Sequence, residues 1–211
     1  MKQLATSAEI VKVKTATGKE VPTTEYAFKI RGDEAEYSSE EVTFKPLAYF
    51  TKLLQWNEKA TAVVNESIYF TMDNFKDALL EDRLGGNACG RTFKSWGKES
   101  NPNNAKWYGF IFGEVTFPGK APVLVNYRIT GGQCMDWGAI ERVVGRNLPS
   151  TLLKLTAVGR EGKTHLATTL YTILQQDLDT SGNEEYTKQI KDFIEEENNK
   201  IKDAYRAAKA A

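Results

Sequence analysis

Basic residues interleaved with aromatics are the combination in this 211-residue chain whose types and spacing point to a definite chemistry. Lys45, Tyr49, Phe50, Lys52 and Trp56 form one cluster, and Arg91, Phe93, Lys94, Trp96 and Lys98 form another. Lys106, Trp107 and Tyr108 follow, then Tyr127 and Arg128. Single-stranded nucleic acid is held by this pairing of groups: bases stack on aromatic faces while Lys and Arg track the phosphates, and each stacked base contributes roughly 1–3 kcal/mol. For the strand-like clusters, core aromatics with lysines on the opposite pleat account for the pattern equally well. Phe93 and Trp96 sit in a Gly- and Asn-rich stretch, where there is less core to fill.

Other motifs suggest other chemistry and are weaker. Ala157 to Thr164 (AVGREGKT) fits a loose phosphate loop, with Lys163 for the phosphates and Thr164 for Mg²⁺. Only about fifty residues follow, and none forms an apolar strand ending in the metal-binding Asp that such a fold needs. A hairpin turn explains the string as well. Gly131-Gly132-Gln133 matches the tripeptide of translation release factors, but no basic arm surrounds it, and a strand-to-helix turn using glycine suffices. His165 is the single histidine, and nothing in the sequence links it to a nucleophile such as Cys134. Cys89 and Cys134, even with His165, are too few for a zinc site unless a carboxylate completes it. Glu195-Glu196-Glu197 reads as a solvated helix face. The expectation is therefore a protein without catalytic residues, metal or cofactor.

Composition narrows the partner class. Formal net charge is zero, which argues against a strongly basic duplex-DNA binder. The charges are unevenly spread: 22 basic against 19 acidic residues up to Gln175, but nine acids against four lysines between Asp177 and Asp203. Between Arg91 and Arg128 there are six basic residues and two acidic ones, so a modestly positive body carries an acidic tail segment. No run of about 18 apolar residues could span a membrane, and the first residues show no secretion signal. Two reduced thiols and a cytoplasmic location are expected, the host cytoplasm if the source is viral.

The elements that must position these residues are mostly strands. β-Branched residues predict a strand at Glu9–Thr15 and alternation one at Tyr26–Ile30, and further strands are expected at Trp107–Phe117, Pro122–Thr130 and Thr151–Val158. Thr17-Gly18-Lys19, Asn57-Glu58-Lys59, Pro118-Gly119-Lys120 and Gly159–Gly162 are turns. Asp33–Glu41 reads as an acidic loop, and an extended segment from Val42 is expected to stop near Pro46. In Leu47–Trp56, Leu47, Phe50, Leu53 and Leu54 fit helical spacing but the aromatics favour a strand; Ala60–Val64 and Ser67–Thr71 read as further strands, whereas Thr164–Leu174 fits a strand or a helix. Helices are expected at Asp73–Leu84 and Cys134–Val144, separated by an irregular stretch, Asn87–Lys106. From Asn183 onward Tyr186, Ile190, Phe193, Ile194, Ile201 and Tyr205 recur at helical spacing, with Glu197 as the polar interruption. The fold class is mainly β (α+β): a small barrel over residues 1–175 with short helices, and a C-terminal amphipathic helical extension over 176–211.

Gly85-Gly86-x-x-Cys89-Gly90-Arg91, then Trp107-Tyr108-Gly109-x-x-x-Gly113-x-Val115, then Arg128-x-x-Gly131 carry a resemblance. The stretch from Val42 to Leu174 resembles small phage-encoded single-stranded DNA-binding proteins of replication modules. The resemblance implies an OB-like five-stranded barrel that binds single strands without catalysis. It would place Phe93, Trp96, Trp107 and Tyr108 against bases, and Arg91, Lys94, Lys98, Lys106 and Arg128 against phosphates. Replication proteins are the further partners it implies. The acidic residues sit on a predicted helix instead of a flexible tail, so that helix is expected to dock on its own barrel or to join two copies. The rival readings are a structural or host-interaction protein and a nucleotide-dependent enzyme. The sequence does not separate DNA from RNA.

Overall fold

A computed structural model describes residues 1–4, 12–14, 20–22, 26–31, 38–57, 59, 62–71, 106–160 and 163–210. The predicted turn at Thr17–Lys19, the helix over Asp73–Leu84 and all but the last residue of the Asn87–Lys106 stretch lie outside them. Strands make up about half of the described residues, about twice the globular norm of roughly 20–25%, so the protein is mainly β. The chain divides into two units, residues 1–48 with 111–186 and residues 49–110 with 187–211.

The first unit is built on a mixed sheet. Its strands are β1 (Lys2–Leu4), β4 (Phe28–Arg31), β5 (Ser38–Ser39), the start of β6 (Glu41–Trp56), the end of β8 (Lys106–Thr116), β9 (Val123–Thr130), β10 (Leu152–Arg160) and β11 (Lys163–Gln175). Their order is β11-β10-β6-β8-β9-β1-β4-β5. β1 runs parallel to β9, with Gln3 opposite Asn126, and antiparallel to β4, with Gln3 opposite Arg31. A separate antiparallel pair joins β2 (Lys12–Lys14) and β3 (Glu20–Pro22). The strict alternation in Val123–Thr130 sends Val125, Tyr127 and Ile129 to the core, where all three are fully buried. Tyr127 meets Phe28 and Phe44 edge-on, at centroid distances of 6.2 and 6.3 Å. Its hydroxyl is hydrogen-bonded to the Thr169 hydroxyl.

The turn between β8 and β9 follows from its residues. Pro118 fixes its own φ, Gly119 takes the left-handed region at φ 69°, and the Lys120 amide donates to the Phe117 carbonyl at 3.0 Å. Helix α1 (Gly132–Val144) follows β9 and places the buried Trp137 edge-on to Tyr171 of β11, 5.6 Å away. A 3₁₀ turn over Gly145–Ser150 leads into β10.

The second unit contains the rest of β6, β7 (Val63–Glu66), the start of β8 and nearly all of α2 (Glu184–Ala210). β7 folds back on β6 with Leu54 opposite Glu66. The chain beyond it adds a bridge between Thr51 and Phe70. Ile68, Phe70 and Ile201 form an apolar cluster with Trp107 packed against it. Ile190 and Ile194 of α2 are buried as well. Asn198 fastens the helix: its Oδ1 accepts from the Tyr69 amide at 2.7 Å and its Nδ2 donates to the Tyr69 carbonyl at 3.3 Å.

Four local readings are revised. The extended segment does not stop at Pro46: β6 runs through it for 16 residues. Its ladder with β10 ends at Phe44, so no N–H is required of Pro46 on that side. Asp33–Glu41 is not all loop, because Ser38–Ser39 pairs with β4 and Glu41 opens β6. Of the expected Ala60–Val64 strand, Ala60 and Thr61 lie outside the described residues and Val63–Val64 open β7, which runs on to Glu66; Ser67–Thr71 contributes bridges in place of a strand. Thr164–Leu174 is a strand. Among the described residues no helix is long and apolar enough to cross a membrane.

Candidate nucleic-acid interface

Of the residues expected to touch nucleic acid, Arg91, Phe93, Lys94, Trp96 and Lys98 lie outside the described residues. Lys106, Trp107 and Tyr108 open β8 within the second unit, and Arg128 lies half-buried on β9 in the first. Successive strand residues point to opposite faces, so the three on β8 are not equivalent. Lys106 is exposed. Trp107 is half-buried, its ring edge-on to Phe70 at 5.3 Å, and it keeps part of its surface. Tyr108 is 9% exposed and its ring tilts against Trp56 at 6.4 Å. Tyr108 therefore packs inside the second unit and offers little ring to a base.

In the earlier basic–aromatic cluster on β6, Lys52 is buried and Lys45, Tyr49, Phe50 and Trp56 are half-buried. Lys52 is 3% exposed and its Nζ pairs with the Glu66 carboxylate of β7. The same ammonium lies 4.5 Å from the centroid of the Tyr69 ring. Tyr69 meets Phe110 at 5.1 Å, Phe193 at 6.3 Å and Phe50 at 6.4 Å. A buried ammonium needs both an anion and polarisable surroundings, and this arrangement supplies them. Lys45 is half-buried. It adds to the Ser181 backbone and hydroxyl hydrogen bonds that hold the Asp179 carboxyl below its ordinary range.

A shallow cleft of about 250 Å³ opens in the first unit among Glu41, Thr43, Thr116, Phe117, Gly119 and Lys154. Ligand pockets usually exceed about 300 Å³. Lys154 Nζ and Thr156 Oγ1 each donate to Glu41 at 3.1 Å. The Lys154 hydrogen bond, then that of Thr156, lowers the Glu41 pKa. The cation at this cleft is already committed to a carboxylate.

The competing motifs resolve locally. Ala157–Arg160 and Lys163–Thr164 belong to the antiparallel hairpin of β10 and β11, with Ala157 opposite Thr169 and Arg160 opposite Lys163. A phosphate loop requires a helix after its lysine; here the lysine opens a strand. In the Gly-Gly-Gln string, Gly131 takes φ 58° and its carbonyl accepts from the Cys134 amide at 3.1 Å, so the glycine makes the turn into α1. Cys134 is half-buried on that helix; Cys89 and the side chain of His165 lie outside the described residues. No group of three His, Cys, Asp or Glu among the described residues could hold a metal ion.

One polar position escaped the sequence reading. Asn126 lies on the face of β9 opposite Val125 and Tyr127, and its Oδ1 is buried without a hydrogen-bond partner among the described residues. The available signal was an amide in the apolar alternation VLVNYRIT, two residues before Arg128. Comparison of the chain with protein-family models, with curated proteins and with solved structures finds no match.

Proposed function

We propose that the protein binds single-stranded DNA without catalysis, acting in phage DNA replication or recombination in the host cytoplasm, on an OB-type barrel. The observation that supports this most is the run of cations and aromatics from Arg91 to Trp107, ending on a strand where Lys106 is exposed and Trp107 keeps open surface. Phe93, Trp96 and Trp107 stack on bases; Arg91, Lys94, Lys98, Lys106 and Arg128 meet phosphates. Tyr108 backs this strand from inside. Replication proteins are the natural further partners.

The test is quenching of tryptophan fluorescence by oligo-dT at about 50 and 300 mM salt. Saturable quenching that weakens steeply at the higher salt is expected, and Trp96→Ala should reduce it. A folded protein that shows no quenching would overturn the reading. A second reading, a structural or host-interaction protein, is favoured by Met135 and Val143, which stand 76% and 67% exposed on α1. A largely apolar interface of that kind would hold its affinity as salt rises.

A further inference from the structure

We infer that the outer edge of β11 is a self-association surface, on which a second copy of this chain pairs antiparallel to make a two-fold dimer. The inference is independent of nucleic-acid binding.

The two ends of the sheet in the first unit are built differently. A terminal strand offers a row of backbone N–H and C=O groups to any extended chain, and proteins that stay single blunt such edges with short strands and charges. At one end β5 is two residues long and is followed directly by Glu40 and Glu41. At the other end β11 runs for 13 residues and, among the described residues, pairs only with β10. From Leu166 to Gln176 (LATTLYTILQQ) there is no charged residue, and the Thr and Ile side chains favour strand pairing. Leu170 is 56% and Leu174 50% exposed, and Thr172 between them is exposed as well. Of the five exposed large apolar side chains among the described residues, these two leucines lie on β11, and Met135 and Val143 lie on α1. That helix packs on β11 through Trp137 and Tyr171, so exposed apolar surface concentrates at this end of the sheet.

The occupant and its register follow from the strand itself. An open edge is complementary to an extended backbone, and an uncharged edge meets no like charges in its own copy. The ladder between β10 and β11 is regular from Ala167, opposite Gly159, to Ile173, opposite Leu153, and shifts beyond both ends. Antiparallel pairing of this run with its own copy overlaps fully when Leu170 lies on the two-fold axis. Leu170 then faces Leu170 of the second copy, and Thr172 faces Thr168 of the second copy. Apolar and threonine pairs of this kind stabilise antiparallel ladders. The first charges beyond the run, Lys163 and Asp177, stand equally far to either side of Leu170, so the same register brings opposite signs together at both ends. The contact uses one patch twice and leaves the blunted β5 ends outermost, so the assembly closes at two copies.

The experiment measures the solution mass of the full chain by sedimentation equilibrium from about 1 to 100 μM. The wild type is expected at twice the 23.6 kDa of one chain. Leu170→Lys sets two like charges directly opposite each other at an exposed position and should weaken association about ten-fold. A wild type that stays single throughout, or a folded Leu170→Lys that associates as well as the wild type, overturns the inference. Two cysteine variants, made with Cys89→Ser and Cys134→Ser, test the register. Leu170→Cys should join two copies by a disulfide under mild oxidation, because opposed Cα atoms on paired strands lie about 4.5–5.5 Å apart, within disulfide reach. Thr172→Cys should stay unjoined, because its counterpart would stand roughly 14 Å away along the ladder. Equal joining of both variants, or of neither, overturns the pairing. If one set of variants fails to fold, the other decides.

Discussion

Replacing Glu66 by Leu should destabilise the second unit by about 3 kcal/mol, near the lower end of the roughly 3–5 kcal/mol for stripping one partner from a buried pair. The lower end applies because the Glu66 side chain keeps 21% of its exposure, against 4% for Lys52. The Tyr69 ring, 4.5 Å from the Lys52 ammonium, stays in place and supplies about 0.5–2 kcal/mol of cation–π attraction. At a urea m-value of about 2 kcal/mol/M, the midpoint should fall by about 1.5 M. The double variant Lys52→Met/Glu66→Leu should recover to within about 1 kcal/mol of the wild type or exceed it, because neither charge then needs compensation. Urea unfolding followed by tryptophan fluorescence measures all four corners of the cycle. The double variant should also keep its oligo-dT affinity and salt slope, since Lys52 faces the interior. A Glu66→Leu variant within about 1 kcal/mol of wild type, or a double variant no more stable than the single one, would refute the buried-pair argument.

Gly113→Ala should lower the thermal midpoint by several degrees, corresponding to about 2 kcal/mol, as read by scanning calorimetry. Its Cβ would stand 2.5 Å from the Lys45 carbonyl oxygen and 2.7 Å from Phe44 Cζ, and the backbone oxygen cannot swing aside. Asn198→Ala should cost about 2 kcal/mol, because it opens both backbone hydrogen bonds at Tyr69. Faster hydrogen exchange at the Tyr69 amide would report the same loss. Alkaline pH should unfold the first unit. The Tyr127 phenol is pushed up to about 12 by burial, with the Thr169 hydrogen bond pulling the other way. Its stabilisation is therefore complete below the unfolded value of about 10 and is lost as pH rises from there to about 12. Thermal midpoints across that window should fall in step with tyrosinate absorbance, and Tyr127→Phe should flatten the fall.

Where burial follows from neighbours in sequence, the fold was legible. Tyr26, Phe28 and Ile30 recur at every second position, and the structure buries all three, with the intervening Ala27 buried as well. Pro118-Gly119 marked its turn, and the spacing of Ile190, Ile194 and Ile201 marked the buried stripe of α2. Where the deciding partner is distant in the chain, the sequence was ambiguous. Lys52 looks like a surface cation until β7 folds back and brings Glu66, 14 residues on, against it. Pro46 looks like a strand end until the β10 ladder is seen to finish at Phe44. Thr164–Leu174 becomes a strand because β10 pairs with it residue by residue. The candidate site divides the same way. Lys106, Trp107 and Tyr108 could be named from composition, but their division into exposed, half-buried and buried depends on Phe70 and Trp56, which arrive from elsewhere in the second unit.

The charges of α2 bear on which nucleic acid the protein would accept. Its apolar stripe is buried, so its outward face carries Glu184, Glu185, Asp192, Glu195, Glu196 and Asp203, all exposed. Two cations on the helix are engaged with its own acids: Lys200 with Glu196 and Glu197 at 2.8 and 2.9 Å, and Arg206 with Asp203 at 3.1 Å. The Lys200 ammonium is held well above its ordinary pKa by those two carboxylates. Exposed pairs of this kind contribute little to stability, and with seven acids against six bases the helix is net negative by a single charge. A polyanion near that surface is repelled in proportion to its charge density. Duplex DNA carries one charge per 1.7 Å of axis and each strand alone one per 3.4 Å, so the helix penalises a duplex more than a single strand. Neutralising its acids, as in Glu195→Gln/Glu196→Gln, should therefore raise duplex affinity by a larger factor than oligo-dT affinity at low salt. An equal gain for both would remove the helix from any account of strand preference.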